Sequence, residues 1–233
     1  KRIVSTFDAA KYKDKSILII GGGTSTLDVN WESIDYDYIW TCNDFFLEDR
    51  VVSKDIDLYL LAFTTPFDSR LIEKLKGSNT AVFYESKFYR SRQNTPQFRD
   101  FKKESEIKIF EMDIPFHDHL HQDGQKAGAA FRLIQLAMIT EASKINFVGF
   151  DGFNKEFTNK HAFTKHKGLK DSDTRRDWES GYYKVFIEAF NYLIKLEGFE
   201  RLQNLGEGYD YNIGSEISKQ HFPLDEKVME SLG

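Results

Sequence analysis

Apolar residues along this chain fall into short unbroken runs, separated by longer stretches in which they recur every three or four positions. The first run lies in K-S-I-L-I-I-G-G-G-T-S (residues 15–25): Ile17 to Ile20 carry no polar alternation, and three glycines follow at once. A run of that kind marks a strand covered on both faces, as in a parallel sheet. Comparable runs predict strands over 16–20, 37–43, 57–63, 80–84, 108–112, 144–150 and 201–205. Helical spacing predicts helices over 66–75, with Pro66 in the first turn, and over 124–143, where Ala127, Ala130, Phe131, Ile134, Leu136, Ala137 and Met138 crowd most of the surface. A third helix is expected over 177–196, with Gly198 as its stop, and a short one over 224–232. Residues 85–100 are polar and basic and read as a loop leading into a short helix. Residues 152–176 are long, charged and poor in apolar positions, which suits a lid-like insertion over an active site. The alternation of strand and helix gives the class: α/β, a single Rossmann-like domain over 1–233, with a mostly parallel sheet of about seven strands flanked by helices.

Composition narrows the function classes. At 40% hydrophobic and 30% charged residues, the 233-residue chain can bury a sizeable core as one domain. A net charge of −5 argues against a basic nucleic-acid surface, so no nucleic-acid partner is expected. The single cysteine, Cys42, rules out an internal disulfide framework and fits a reducing, cytoplasmic setting. No apolar run approaches the roughly 20 residues that span a bilayer. The polar residues 1–15 do not read as a signal peptide, and a first residue of Lys fits one module of a longer chain. The 21 Phe and 11 Tyr supply an aromatic-rich core or, alternatively, stacking surface for a base or a sugar.

Candidate chemistry gathers at the ends of the strands. Gly21-Gly22-Gly23-Thr24-Ser25-Thr26 opens a phosphate or nucleotide contact, since glycines let backbone approach an anion closely; the plain alternative is a structural tight turn. It matches the dinucleotide fingerprint only if Thr26 replaces the last glycine, and it is not a Walker A loop. At the end of the second strand, Asp44 could take a ribose hydroxyl in a dinucleotide enzyme, Asn43 offers an amide with donor and acceptor, and either could simply cap a helix. His117, His119 and His121 alternate and share one face if extended, which suits zinc, but beside Pro115, Asp118 and Asp123 they read as a solvated loop, so no metal is expected. His161 and His166, among Lys160, Lys165 and Lys167 in the lid-like segment, are candidates for proton transfer or for a solvated basic loop. Lys126 could meet an anionic ligand, whereas Arg175, Arg176 and Asp177 read as a surface charge cluster or helix start.

Together these blocks resemble the bacterial sialyltransferases that use CMP-sialic acid in lipooligosaccharide synthesis. Gly21-Gly22-Gly23-Thr24-Ser25 is similar to that family's Gly-Asn-Gly-Pro-Ser turn, and Cys42-Asn43-Asp44-Phe45-Phe46-Leu47-Glu48-Asp49 to its Cys-Asn strand end with an aromatic and acidic sequel. Ala127-Gly128-Ala129-Ala130 resembles its Ser-Gly helix opening, and Val148-Gly149-Phe150-Asp151-Gly152-Phe153 its Ser-Gly-Ile-Asp-Phe strand end. The resemblance, in the same order over about 17–205, implies a Rossmann-like domain of GT-A type with a flexible lid. It implies inverting, metal-independent transfer, without a cofactor, of an acidic keto-sugar (sialic acid or a related sugar such as Kdo) from a CMP-activated donor to a glycan acceptor. Gly21, Gly22, Gly23, Thr24, Ser25, Asn43, Lys126, Ala127, Gly149, Phe150 and Asp151 would hold the nucleotide. The family's base is a lid histidine and its phosphate donors are tyrosines. Here Phe153 and His161 stand where the family has tyrosines, His166 is the histidine nearest to the base position, and phosphate donation passes to Tyr182 or Tyr183. Peripheral membrane association at the inner face, and homo-oligomerisation, stay open. A pterin-pyrophosphokinase-like or flagellin-glycosylation family also opens with such a turn. The other classes to weigh are an NAD(P)-linked or other nucleotide enzyme, and a non-catalytic nucleotide- or glycan-binding module.

Overall fold

Seven parallel strands form one sheet in the order β5-β4-β3-β2-β1-β6-β7. The strands are β1 Ser16–Ile20, β2 Tyr38–Cys42, β3 Leu58–Leu61, β4 Ala81–Tyr84, β5 Lys108–Glu111, β6 Lys144–Val148 and β7 Leu202–Asn204. The helices are α1 Ser25–Asp28, α2 Asp49–Val52, α3 Ser69–Leu75, α4 Pro96–Phe101 and α5 Ala129–Ile139. The computed structural model describes residues 7–23, 25–43, 49–52, 55–61, 69–84, 96–104, 106–111, 129–150 and 198–206. The expected helices over 177–196 and 224–232 and the lid-like stretch 152–176 lie outside these residues.

Every expected strand is present, and the ends differ for physical reasons. β2 stops at Cys42 rather than at residue 43, because Asn43 turns into the left-handed region at φ 56°. β6 stops at Val148 rather than at 150, because Gly149 has φ 76°. At the amino edge, β2 and β3 start one residue late because Asp37 and Asp57 turn their carboxylates onto neighbouring strands. Asp37 accepts the Ser16 N–H (2.8 Å) and hydroxyl (2.9 Å), bonds that hold its carboxyl below the usual range. Asp57 accepts the Ile39 N–H at 3.0 Å, but burial pushes its pKa up. The helix expected over 124–143 is observed from Ala129, with 124–128 outside the described residues, and it ends at Ile139 because Glu141 takes φ 59°.

Helices cover both faces, as a doubly wound sheet requires. The chain steps from β1 outwards to β5, then returns to place β6 on the other flank of β1. Right-handed crossovers therefore put α5 on the face opposite α3 and α4. On the α5 side, Phe131, Leu133, Ile134, Leu136 and Ala137 pack with Tyr12, Ile17, Ile19, Trp40, Leu58, Leu60, Phe83, Ile145 and Phe147. On the other side, Leu71, Leu75, Phe98 and Phe101 pack with Tyr59, Leu61, Val82 and Tyr84. All side chains described between Phe131 and Met138 are buried, Arg132 and Gln135 included, so α5 is a core helix rather than a half-exposed one. Among the described residues no helix is long and apolar enough to cross a membrane.

Candidate functional site

The reversal of strand order falls between β1 and β6, and in open α/β sheets ligands bind in the crevice beyond the carboxyl ends of the strands at that point. Three segments meet there: the glycine turn after β1, Gly149-Phe150 after β6, and Asn43 after β2. Since Ile20 is paired with Thr41 and with Val148, the residues that follow each strand emerge at the same level.

The two central turns are stitched to each other. Gly21 N–H donates to Val148 O (2.8 Å), Gly23 N–H to Gly149 O (2.8 Å), and Gly149 N–H to the Ser25 hydroxyl oxygen (3.1 Å). The N–H groups of Gly21 and Gly23 are thus spent within the protein. Close backbone approach explains the glycines. A Cβ on Gly21 would lie 2.6 Å from Gly149 O, and one on Gly149 would lie 2.2 Å from Thr26 Oγ1 and 2.8 Å from the Gly21 carbonyl. Thr26 stands where the dinucleotide fingerprint places its last glycine. Its side chain is buried and its hydroxyl donates to Gly21 O at 3.3 Å, room that Gly149 provides from the adjacent strand. Phe150 is buried edge-on against Phe147 and Phe131 and closes the turn from the α5 side.

The β2 side is held from two further directions. The Tyr59 hydroxyl, from β3, donates to Asn43 O at 2.5 Å. The Asn43 side-chain Oδ1 is buried and accepts no hydrogen bond from any described residue. Arg50, on α2, reaches back across the β1 turn and donates to the carbonyls of Thr26 (2.7 Å), Leu27 (3.0 Å) and Val29 (3.0 Å). It also pairs with Glu32 through two nitrogens, and its guanidinium lies 5.1 Å from the Trp31 ring centre. Trp31 Nε1 donates to the same Thr26 carbonyl at 2.9 Å. Neither Arg50 nor Tyr59 was marked by spacing or motif: a lone Arg after two acids, and a Tyr within Leu-Tyr-Leu-Leu, look like surface and core.

The structure therefore brings together Gly21, Gly22, Gly23, Ser25, Asn43, Gly149 and Phe150 of the expected site. Thr24, Lys126, Ala127, Asp151, His161, His166 and Tyr182 lie outside the described residues, as do Asp44 and His117, His119 and His121. Apart from the buried thiol of Cys42, the Tyr59 phenol and the Arg50–Glu32 pair, all engaged in the walls, the described part of the crevice carries no titratable side chain. It can bind and orient a polar ligand, while proton transfer needs groups from elsewhere in the chain. Among the described residues no cluster of His, Cys, Asp and Glu could hold a metal ion.

No protein-family model and no curated protein sequence matches the chain. Solved structures do. It is similar to the sialyltransferase CstII from Campylobacter jejuni in complex with cytidine-5'-monophosphate, with TM-score 0.53 and 14% identity over 83% of this chain and 81% of that one. The same enzyme in complex with CMP-3FNeuAc matches with TM-score 0.51 and 13% identity, over 82% and 80%. The monofunctional alpha-2,3-sialyltransferase Cst-I from Campylobacter jejuni matches with TM-score 0.52 and 15% identity, over 90% and 80%. At these identities the likeness is one of fold: this chain has the Rossmann-like α/β fold of the Campylobacter jejuni sialyltransferases Cst-I and CstII.

Proposed function

We propose that the protein is a glycosyltransferase that moves an acidic keto-sugar, sialic acid or a related sugar such as Kdo, from a CMP-activated donor to a glycan acceptor. One observation carries the reading. The crevice at the β1/β6 reversal is built from the glycine turn, Asn43 and Gly149-Phe150, on a fold like that of enzymes whose structures hold CMP and CMP-3FNeuAc.

In this reading Gly21 and Gly149 let the two turns pack closely and Gly22 and Gly23 add no side chain, so that ribose and phosphate lie against the backbone. Asn43 supplies an acceptor for a nucleoside hydroxyl or amine, and Ser25 and Phe150 shape the floor. Thr24, Lys126, Ala127 and Asp151 complete the nucleotide contacts. His166 or His161 takes the proton of the acceptor hydroxyl as its oxygen bonds the anomeric carbon. The bond from that carbon to the phosphate oxygen breaks, and Tyr182 donates to the departing phosphate of CMP. Attack from the face opposite CMP inverts the centre without a metal. Surface-glycan synthesis at the inner face of a membrane, with homo-oligomerisation, fits such an activity.

A thermal-shift panel of CMP, CDP, UDP, GDP and NAD tests the reading. Ligand at 100 times its Kd stabilises by about 2.7 kcal/mol, roughly 5–10 °C for a domain of this size. CMP should give that shift; a shift with NAD and none with CMP overturns the reading. His166→Ala should keep CMP binding and lose about 10²–10⁴-fold in donor turnover.

A further inference from the structure

Asn43 presents an unusual combination. Its Oδ1 is buried, yet no described residue donates to it. Its backbone is left-handed, at φ 56°, a conformation that costs more than extended backbone for any residue with a Cβ, although asparagine tolerates it best. The oxygen thus has no described donor to fix its direction, which therefore depends on the conformation of the backbone that carries it. That backbone has one described anchor. β2 leaves its ladder at the Cys42↔Leu60 pair, and one residue later the carbonyl of Asn43 accepts the Tyr59 hydroxyl at 2.5 Å. Tyr59 sits opposite Thr41 in the register, and its ring is fully buried with Leu61, Val82 and Tyr84, so the hydroxyl is delivered from a fixed point.

We infer that Tyr59 is a positioning residue for nucleotide binding: by holding the Asn43 carbonyl it keeps Asn43 left-handed and its Oδ1 in place for a donor on the nucleoside. The inference rests on the proposed nucleotide reading of the crevice. Fixing the carbonyl fixes the peptide plane between residues 43 and 44 and hence ψ of Asn43. Without the hydroxyl, extended conformations of lower cost become available, and the amide swings away with the backbone. A phenylalanine would fill the same core volume but leave the carbonyl without this donor.

Tyr59→Phe, Asn43→Ala and the double variant, with CMP titrated calorimetrically into each, test the inference. Tyr59→Phe should weaken CMP binding about five-fold, the worth of one hydrogen bond. In the Asn43→Ala background it should cause no further loss, because the group it positions is gone. Equal losses in both backgrounds mean a general structural role and overturn the inference, as does unchanged affinity in the single variant. A second arm needs no ligand. Asn43-Asp44 is the only Asn-Asp step in the sequence, so carbonyl-13C asparagine with 15N aspartate gives one cross-peak. That carbonyl resonance should move upfield in Tyr59→Phe; a stationary peak in a folded variant overturns the inference. If the unsubstituted protein binds no CMP, the nucleotide reading itself fails, and the cross-peak still reports whether Tyr59 holds Asn43.

Discussion

Replacing Arg50 by Met is the most informative single perturbation of the crevice walls. The guanidinium is only about a quarter exposed, with side-chain accessibility 28% against 27% for Glu32. It serves three carbonyls at the end of α1 besides that carboxylate. A hydrogen bond with a charged partner contributes about 1.5–3 kcal/mol, and bonds sharing one group add up to less than their sum because water replaces part of the loss. The expected cost of Arg50→Met is therefore about 3 kcal/mol, or about 6–12 °C in melting temperature. Glu32→Gln removes the charge pair but leaves the carbonyl contacts, and a partly exposed ion pair contributes only about 0–1 kcal/mol. Urea unfolding of the two variants beside the parent separates the contributions. If Arg50→Met and Glu32→Gln agree within about 0.5 kcal/mol, the carbonyl clamp carries no weight and the reasoning fails.

Four further outcomes are expected. Gly149→Ala forces a Cβ to 2.2 Å from Thr26 Oγ1 and into left-handed strain, so it should cost about 3 kcal/mol or more, with partial rescue by Thr26→Ala. Gly77→Ala, also at positive φ but with open space around it, should cost only about 1 kcal/mol by the same unfolding assay. Tyr12 is fully buried, and its hydroxyl has no described partner and a pKa raised by burial; Tyr12→Phe should leave stability unchanged or raise it by about 1 kcal/mol, and a clear loss would reveal a partner. Burial lowers the pKa of Lys74 to about 8 against an ordinary 10.5. Between those values the unfolded chain binds more protons than the folded one, so stability should rise with pH across that window. Lys74→Met should abolish that slope in unfolding measured across the same pH window.

The layout of the fold was legible because its strands are unbroken apolar runs and its turns carry glycine. Ile17–Ile20, Leu58–Leu61 and Ala81–Tyr84 read directly as buried strands, and all seven strands fall where the runs do. The strand ends were less legible, since they depend on left-handed turns at Asn43 and Gly149 and on carboxylates reaching sideways from Asp37 and Asp57. Arg132 and Gln135 are polar residues on α5, and only the packing around the helix makes them core. In the crevice, the types and order of the residues could be read from the sequence, but the use of their backbone groups could not. Whether a glycine N–H faces a phosphate or the neighbouring strand depends on a partner more than a hundred residues away, and no local pattern encodes it. The same holds for Arg50 and Tyr59, whose partners are main-chain carbonyls of other segments.

The pairing of β1 with β6 has a consequence for how the chain is made. Ile17 lies opposite Ile145, so the middle of the sheet joins strands 128 residues apart in the chain. At roughly 5–20 residues per second, β1 emerges on the order of ten seconds before its partner. Meanwhile β2 to β5 can add successively to its other flank, leaving the β6-facing edge of β1 with unpaired backbone groups. Such edges capture foreign strands, and the segment of a second nascent chain corresponding to β6 would fit in perfect register. Slow translation or loss of the residues from 144 onwards should therefore yield strand-exchanged or aggregated protein, not merely a shortened sheet.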